Sequence, residues 1–539
     1  MAINILKLPH EILHLILCCL STTTDILSVQ RSCKTLRQIA QESNLLQYIL
    51  ELATAGVEDV GNWSSSTSIS DRVEALRTRQ RAWAQLEWRS TIRIQGPAEL
   101  FRAHSFHIVD NYLVLLEGTG LIYLTALPSN YQSNATSHAL HWDTIQTTPS
   151  AEAQLPLMRA ENDLMAMVII LPFTSSEETW RKRLELHLFS MSNHTYHPAA
   201  KSSVIPLYEH SNWSSINFAT MEIAGEYIAV LLPPDNRLDD FSPRPGTFLL
   251  VDWQTGTKHP CVLPFSWTSN VEGFVFLRQD IILFPNLEEN SLLIFKIKSS
   301  PIGIDLALVR RLLLPEASVH KEVVYISCAC SPNAFDQPST NSISPFRDIP
   351  DEAIIRFTIK VGHAPSHLPN LHGGDIFTFV THRRALLALL SPYILAIPFG
   401  DPPLQSGDVI TSDWHEWGPK RTRWFDAVDL EDAQWAPFGQ RVMPPWHLGL
   451  CDFNTYTTRK LHAQSGDVDY HLPNGRRQRV ITRKTVIPAR FIFLDDVESE
   501  LPYCEIECKV QGSDELWMDD ERVVFSKPWD NEFVVHMLG

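Results

Sequence analysis

The sequence predicts a mixed, mainly β fold in which an N-terminal helical module is joined by a helix to a long β array. Apolar residues recur at helical spacing over roughly the first fifty positions, and a charged helical segment follows them. From about Gly96 the chain changes to short β-branched and aromatic runs separated by Pro, Asn, Gly and Ser, which is typical of strands and turns. Because 539 residues exceed what one core supports, we place the domains at residues 1–55, 56–94 and 95–539.

The first predicted helix lies within Leu8 to Leu20. Pro9 suits its first turn, where a missing N–H costs nothing. The apolar residues that form one stripe along this helix are Ile12, Leu13, Ile16, Leu17 and Leu20. The opposite face is also apolar, so the helix needs two partners. Further helical segments are predicted around Ile26, at Ser32–Ser43 with Ser32 as the N-cap, and at Leu45–Ala53.

The apolar surplus of this module has two explanations. The helices could cap the rest of the same chain, or they could expose a surface for a partner protein, since some fifty residues form only a marginal core. Periodicity alone favours neither.

The order of residues between Leu8 and Arg37 resembles the F-box motif, with its Leu-Pro start, its Asp25-Ile26-Leu27 step and its Cys33-Lys34 pair. The resemblance covers about residues 3–50 and implies docking on the Skp-type adaptor of a cullin–RING ubiquitin ligase. The residues it implies for adaptor binding are Leu8, Pro9, Ile12, Leu13, Ile16, Leu17, Leu20, Ile26, Leu27, Cys33, Lys34 and Leu36. Ser32 stands where the family usually has Val, and Leu36 stands where it usually has an aromatic residue. Because Leu is smaller, weaker packing on the adaptor is expected at Leu36.

A linker and a bridging helix are predicted next. Gly61–Ser70 is rich in Ser and Thr and lacks periodicity, which indicates a linker. Asp71–Arg89 restores helical spacing, with Ser70 as its cap and several arginines on what should be a solvated face. We expect no comparable helix downstream.

The β array contains a recurring pair of strands. The first strands of four pairs begin at Tyr112, Leu164, Tyr227 and Asp280, which are 52, 63 and 53 residues apart. The second strands of these pairs are predicted at Leu121–Leu124, Leu184–Phe189, Thr247–Trp253 and Ser291–Ile297. Two segments share an apolar-x-Asp-aromatic-x-Thr pattern, at Asp252 and Asp452, where the Asp side chain is expected to hold a tight turn.

A repeat of this length over some 440 residues predicts a divergent β-propeller of six to eight blades, with seven expected, because each blade buries its faces against its neighbours. The long insertions Ser129–Leu155, Pro233–Gly246 and Ser331–Pro350 are unusually long for passive connections. Some of them are expected to rim a binding face.

Trp414–Trp446 holds five of the fifteen tryptophans and several arginines. Such clusters occur both at binding hot spots and between packed blades, and the structural role is favoured here. The candidate target surface consists of Trp414, Trp417, Arg421, Arg423, Trp424 and Arg441. The stretch Trp-x-x-Trp-Gly-Pro-x-x-Thr-Arg resembles the C-terminal β array of fungal F-box proteins, and the resemblance implies no role for it.

Composition excludes several function classes. A net charge of −17 disfavours nucleic-acid binding, and no apolar run reaches the roughly 18 residues that span a bilayer. Nine scattered cysteines indicate free thiols in a reducing compartment, and we expect a cytoplasmic or nuclear protein without metal or cofactor. No catalytic motif appears. The resemblance to the F-box motif therefore implies a non-catalytic subunit of a ubiquitin ligase that recruits an unknown protein substrate. The alternative is an enzyme or ligand-binding protein on a β-propeller, with the N-terminal helices as a structural cap.

Overall fold

The structure, a computed structural model, describes most of the chain. The described residues are 5–20, 23–97, 105–109, 111–116, 121–131, 141–146, 154–161, 163–172, 182–210, 220–232, 247–265, 267, 270–300, 303–334, 344–363, 374–396, 409–427, 437–444, 449–466, 469–472, 474–508, 515–527 and 531–538. Of the long insertions, Pro233–Gly246 lies outside these residues, as do parts of the other two.

Four helices form the N-terminal module, after a short 3-10 turn at Ile5–Lys7: α1 (His10–Cys18), α2 (Thr23–Ser32), α3 (Lys34–Glu42) and α4 (Asn44–Ala55). Caps set their ends. The Cys33 thiol, rather than the predicted Ser32, accepts the Leu36 N–H, and Ser43 accepts that of Leu46. Their buried core consists of Leu13, Leu17, Ile26, Ile39, Ala40 and Leu46.

The segment after α4 is fastened to the β array rather than loose. Strand β1 (Val57–Asp59) pairs with β22 (Phe346–Asp348), and Trp63 packs edge-on against Phe346 at 5.3 Å. Helix α5 (Ile69–Gln85) begins with a capping box of Ser68 and Asp71, not with Ser70 as its cap. The stretch predicted as a linker, Gly61–Ser70, has no helix or strand before Ile69, and Trp63 within it contacts the array.

Seven antiparallel-rich sheets of four or five strands follow in the described residues. Sheet 1 contains β3 (Ser105–Val109), β4 (Tyr112–Leu116), β5 (Leu121–Ala126) and β6 (Asp143–Gln146). Sheet 2 contains β7 (Gln154–Glu161), β8 (Leu164–Pro172), β9 (Lys182–Ser190), β10 (Thr195–Tyr196) and β11 (Val204–His210). Sheet 3 contains β12 (Thr220–Ala224), β13 (Tyr227–Leu232), β14 (Thr247–Asp252) and β15 (Thr257–Val262).

Sheet 4 contains β17 (Val275–Arg278), β18 (Ile281–Asn286), β19 (Ser291–Ser300), β20 (Gly303–Leu313) and β25 (Ile410–Ser412). Sheet 5 contains β16 (Val271–Glu272), β21 (Lys321–Cys330), β23 (Ile354–His363), β24 (Asp375–His382) and β26 (Thr422–Ala427). Sheet 6 contains β27 (Arg441–Val442), β28 (Gly449–Asp452), β29 (Tyr470–His471), β30 (Arg477–Ile481) and β33 (Tyr503–Glu507).

Sheet 7 joins the start of the array to its end, because β2 (Trp88–Gln95) pairs with β36 (Glu532–Leu538) beside β35 (Arg522–Lys527) and β34 (Glu515–Met518). The array thus begins at Trp88 rather than at residue 95. A small hairpin of β31 (Thr485–Ile487) and β32 (Val497–Ser499) stands apart from the seven sheets.

Apolar clusters between neighbouring sheets show that the sheets close into a ring. Residues that share one buried cluster across successive sheets are Leu113 with Val535, Val114 with Met167, Val168 with Ile228, Phe248 with Phe284 and Phe357, Val380 with Cys451, and Leu450 with Val523. Sheets that bury both faces against neighbours and close first strand to last form a propeller-like fold, as predicted. The number of blades stays a prediction.

The repeated strands lie where the sequence placed them. Each of the four predicted first strands coincides with β4, β8, β13 or β18, and each second strand with β5, β9, β14 or β19. The Asp252 carboxylate accepts the N–H groups of Gln254 and Thr255 at 3.0 Å, and Asp452 accepts that of Asn454 at 2.9 Å. Both aspartates thus hold turns, as expected.

Helix does recur within the array, contrary to the prediction. Three short helices, α6 (Arg383–Leu387), α7 (Pro392–Ala396) and α8 (Trp414–Trp417), precede α9 (Thr455–Ser465). Helix α9 begins where Asn454 accepts the N–H groups of Tyr456 and Thr457. Its apolar content is low, which explains why periodicity did not reveal it.

Candidate docking ridge and central cavity

Helix α1 buries one face and exposes another. Leu13 is 1% exposed in the core of the helical module, whereas Ile12 and Leu15 are 41% and 59% exposed. Ile12, Leu15 and Ile16 are three and four residues apart, so they form one apolar ridge, the α1 ridge. Soluble proteins seldom present such a ridge to water without a partner.

The predicted adaptor-binding residues fall into three groups. Those buried in the helical core are Leu13, Leu17 and Ile26. Those partly buried beside it are Leu8, Leu20, Cys33 and Leu36. Those exposed are Pro9, Ile12, Ile16, Leu27 and Lys34. The structure thus divides one predicted stripe into residues that build the module and residues that are free to touch a partner.

Leu15 belongs to the α1 ridge although it was not among the predicted adaptor-binding residues. The feature of the sequence that could have identified Leu15 is that the first helix is apolar on both faces. An amphipathic helix needs one apolar face for its own core, so a second apolar face is left for a partner.

The C-terminal end of α4 is held by the β array. Asn454, which is buried, donates its amide N–H groups to the carbonyls of Thr54 and Ala55 at 2.9 and 3.1 Å. Gly56 follows with φ of 70°, and a Cβ there would meet the Gln440 side chain. Only glycine fits this close left-handed turn without strain.

A buried ion network joins α5 to the array. The Arg79 guanidinium lies 3.0 Å from Asp348 and 3.4 Å from Asp520, and Arg441 lies 3.4 Å from Asp348. Arg441 also stacks over the Trp83 ring at 4.5 Å. The predicted solvated face of α5 is therefore wrong at Arg79, which is buried.

Charge and desolvation act against each other in this network. Desolvation opposes the charged form of Arg79, but the nearby carboxylates of Asp348 and Asp520 raise its pKa overall. Desolvation, together with repulsion from Asp348, raises the pKa of Asp520 well above its ordinary value. The network thus fixes α5 on the array at the cost of burying charge.

The Trp and Arg residues proposed as a target surface lie inside the protein, which corrects that prediction. Trp414, Trp417 and Trp424 are buried, and so are Arg423 and Arg441. The sixth residue, Arg421, is partly buried and donates to the Trp417 carbonyl at 3.4 Å.

Packing explains why these side chains are buried. Trp424 stacks on Phe379 at 4.7 Å, and Trp417 donates its indole N–H to the Leu313 carbonyl. Arg423 donates to the Leu501 carbonyl at 2.7 Å. A Cβ at position 418 would meet the Trp414 ring, which accounts for the glycine in this stretch. The favoured structural role is thus the one observed.

A cavity of about 400 Å³ lies at the centre of the ring. Residues of β3, β7, β12, β21 and β34 line it, and these strands come from sheets on all sides of the ring. Arg159 and Glu222 face each other there across 3.3 Å. This is where a propeller enzyme would gather its groups, so its chemistry tests the alternative function.

Burial shifts the pKa values of several ionisable groups in this central cavity. Desolvation raises the pKa of Cys328 and of Cys330, so both stay protonated thiols and weak nucleophiles. Desolvation, with help from Arg159, lowers the pKa of His107 to about 3, which keeps it neutral. Desolvation raises the pKa of Glu222, which is paired with Arg159.

The residues that the structure describes contain no group of three His, Cys, Asp or Glu side chains spaced to hold a metal ion. They also contain no helix long and apolar enough to cross a membrane.

Comparisons with known proteins address the helical module and the ring separately. Residues 5–49 match the F-box-like family model. The WD40 domain of SCAP from fission yeast is similar in structure, with 8% identity over 81% of this chain and 82% of that chain and a TM-score of 0.32. The extracellular domains 1–2 of Drosophila Semaphorin 1b give 8% identity, 83% and 86% coverage and a TM-score of 0.34.

No curated protein matches the sequence of this chain. The ring of sheets is defined by the order of its strands and by the apolar clusters between neighbouring sheets. The fungal type stays a prediction. The chain carries an F-box-like domain at residues 5–49, followed by a propeller-like ring of β-sheets.

Proposed function

We propose that this chain is the substrate-recognition subunit of a cullin–RING ubiquitin ligase. Its F-box-like domain would bind a Skp-type adaptor, and its ring of sheets would bind the protein to be modified. An F-box domain implies an adaptor role in ubiquitin ligation, and the transfer chemistry would belong to other subunits. We place this complex in the cytoplasm or the nucleus.

The α1 ridge is the observation that carries the proposal. The core of the helical module is complete without Ile12, Leu15 and Ile16, because Leu13 and Leu17 fill it from the same helix. The ridge also remains exposed although the ring packs against α4 and α5. A ridge that the ring leaves uncovered argues against the helices as a mere cap and favours a separate partner.

Adaptor capture by exposed-ridge variants tests the proposal. Burying a Leu contributes about 1.5–3 kcal/mol, and a buried carboxylate costs several more. Leu15→Asp and Ile16→Asp should therefore weaken binding of purified Skp-type adaptor at least about a hundredfold. Val262→Asp is the matched control, because Val262 is an exposed apolar residue in sheet 3.

The helical content of each variant, measured by circular dichroism, separates lost docking from lost folding. Both ridge variants should keep it, since their side chains lie outside the core. If the intact chain does not bind adaptor, or if the ridge variants bind as tightly as Val262→Asp, the proposed function is wrong.

A further inference from the structure

Two loops on the ring present apolar side chains to solvent at one place, the apolar tip. Phe491 is 91% exposed, and Val319 is 85% exposed. They lie close together because the Ser318 hydroxyl donates to the Phe491 carbonyl at 2.5 Å, and the Ser318 N–H donates to that of Ile492 at 2.9 Å. An aromatic side chain this exposed is uncommon away from a binding surface.

The apolar tip is held in place rather than left to fold back. Next to it, Phe493 is buried against Phe377 at 5.1 Å, and the Leu494 N–H donates to the Glu316 carbonyl at 2.8 Å. Phe491 has a φ of 65°, a left-handed conformation that a bulky residue adopts only where its surroundings impose it. The fold therefore keeps this ring pointing into water.

An acidic cavity of about 370 Å³ adjoins the apolar tip through Leu494. Its carboxylates are Glu289, Glu316, Asp413, Asp495 and Asp496. None of its lining residues, all of which the structure describes, is Lys or Arg. Beyond the lining, Arg311 pairs with Glu289 at 2.8 Å, and within it His415 lies 4.0 Å from Asp495.

The wall of the acidic cavity carries unsatisfied polar atoms. Trp414 lines it and is only 5% exposed, and its indole Nε1 has no hydrogen-bond partner among the residues that the structure describes. The buried Oδ1 of Asn290, another lining residue, also has none in that part of the chain. These two lining residues thus carry one donor and one acceptor that the fold leaves without a partner in the described residues.

We propose that the apolar tip and the acidic cavity together bind an extended segment of the target protein in which Lys or Arg stands beside an aromatic or aliphatic residue. The cations would meet the five carboxylates, and the apolar residue would pack on Phe491 and Val319. That this segment belongs to the ubiquitination target rests on the proposed function. The five carboxylates disfavour nucleic acid as the ligand, and in the described residues they are not grouped as metal ligands.

Selection from a random dodecapeptide library on the immobilised full chain tests both the site and the partner chemistry. Enriched peptides should combine Lys or Arg with Phe, Tyr or Leu. The most enriched peptide, labelled with fluorescein, is then titrated with the full chain by anisotropy. Its Kd should rise steeply with salt, because charge contributes to binding.

Point variants locate the binding. Phe491→Ser and Asp495→Lys should each weaken the peptide at least tenfold, since hot-spot aromatic residues and charge reversals have effects of that size. Val262→Ser and Glu74→Lys are matched controls, as both residues are exposed and lie elsewhere. Neither control should change the Kd by more than about twofold.

Three results would overturn this inference: no enrichment, enrichment of acidic peptides, or equal Kd values for Phe491→Ser, Asp495→Lys and the controls. None of them involves the adaptor. If adaptor capture succeeds while peptide binding fails, the docking surface is wrong and the proposed function stands. If peptide binding succeeds without adaptor capture, the site stands and the function does not.

Discussion

Replacing Arg79 by Met removes the charge that joins α5 to the ring and keeps a side chain of similar length. Arg79 is buried and contacts Asp348 on β22 and Asp520 before β35. Without it, Asp348 retains Arg441 at 3.4 Å, while Asp520 loses the cation closest to it. Without that cation, Asp520 must either stay charged without a partner or take up a proton, and both cost free energy at a mostly buried site.

Breaking a buried ion pair by removing one partner costs about 3–5 kcal/mol. Because Asp348 keeps Arg441, we expect the lower end, a loss of about 3 kcal/mol in the free energy of unfolding at neutral pH. For a chain of this size, with a urea dependence of roughly 3 kcal/mol per molar or more, the unfolding midpoint should fall by about 1 M or slightly less.

Arg77→Met is the matched control, because Arg77 lies on the same helix and pairs with Glu51 at 2.9 Å in an exposed position. Exposed ion pairs contribute about 0–1 kcal/mol. Urea unfolding followed by far-UV circular dichroism and by the fluorescence of the fifteen tryptophans, one of which is Trp83 on α5, compares the two variants with wild type.

If Arg79→Met lowers the midpoint no more than Arg77→Met does, the buried network does not hold α5 on the ring. The junction would then depend on apolar contacts alone. The buried apolar residues available there include Val73, Leu76, Trp83 and Phe346.

Three further outcomes are expected. Leu36→Trp should tighten adaptor binding several-fold, because Leu36 is half-buried at the edge of the helical module and a larger ring adds apolar area at that edge. An unchanged Kd by calorimetry contradicts this. Burial and the Asp348 carboxylate raise the pKa of Asp520, so the folded state binds the proton of this carboxyl group more tightly than the unfolded state does. Wild type therefore loses stability as pH rises above about 3.8, the ordinary pKa of Asp. The Asn side chain of Asp520→Asn does not titrate. The free energy of unfolding of this variant, minus that of wild type, should therefore increase from pH 4 to pH 7 in urea titrations. A difference that does not change with pH would show that the pKa of Asp520 is not raised. Asn454→Asp keeps the cap of α9 but places a carboxylate oxygen where an amide N–H donates to the α4 carbonyls. Hydrogen exchange of the amides at the end of α4 should therefore accelerate by roughly tenfold or more. The control Asn474→Asp changes an exposed hydrogen bond and should leave this exchange unchanged.

The parts of the fold that the sequence predicts well are those determined by neighbours along the chain. The helical spacing of Leu13 and Leu17, the strand at Tyr112–Leu116 and the turn at Asp252 each depend on residues only a few positions apart. Side-chain period and capping chemistry act over the same short range. The predicted elements and the observed ones therefore agree closely.

The parts that the sequence could not predict depend on contacts between distant residues. Arg79 looks like any exposed helix arginine until β22 and the turn before β35 bring Asp348 and Asp520 to it. Gly61–Ser70 has the composition of a linker, and its order comes from Phe346, nearly three hundred positions further along the chain. The composition of a segment indicates the structure that the segment favours in isolation. The conformations of Arg79 and of Gly61–Ser70 instead depend on contacts with distant parts of the closed ring.

The same distinction separates the two candidate sites. Two of the three α1 ridge residues, Ile12 and Ile16, could be found from sequence, because a helix with two apolar faces has more apolar residues than its own core needs. The apolar tip could not, since Phe491 among Ala489, Arg490 and Ile492 reads as an ordinary strand residue. It becomes a binding candidate only because Phe493 takes the core position and Ser318 fixes the loop, which together force Phe491 outward. A surface that partners recognise is thus set less by which apolar residues the chain contains than by which of them the core leaves out.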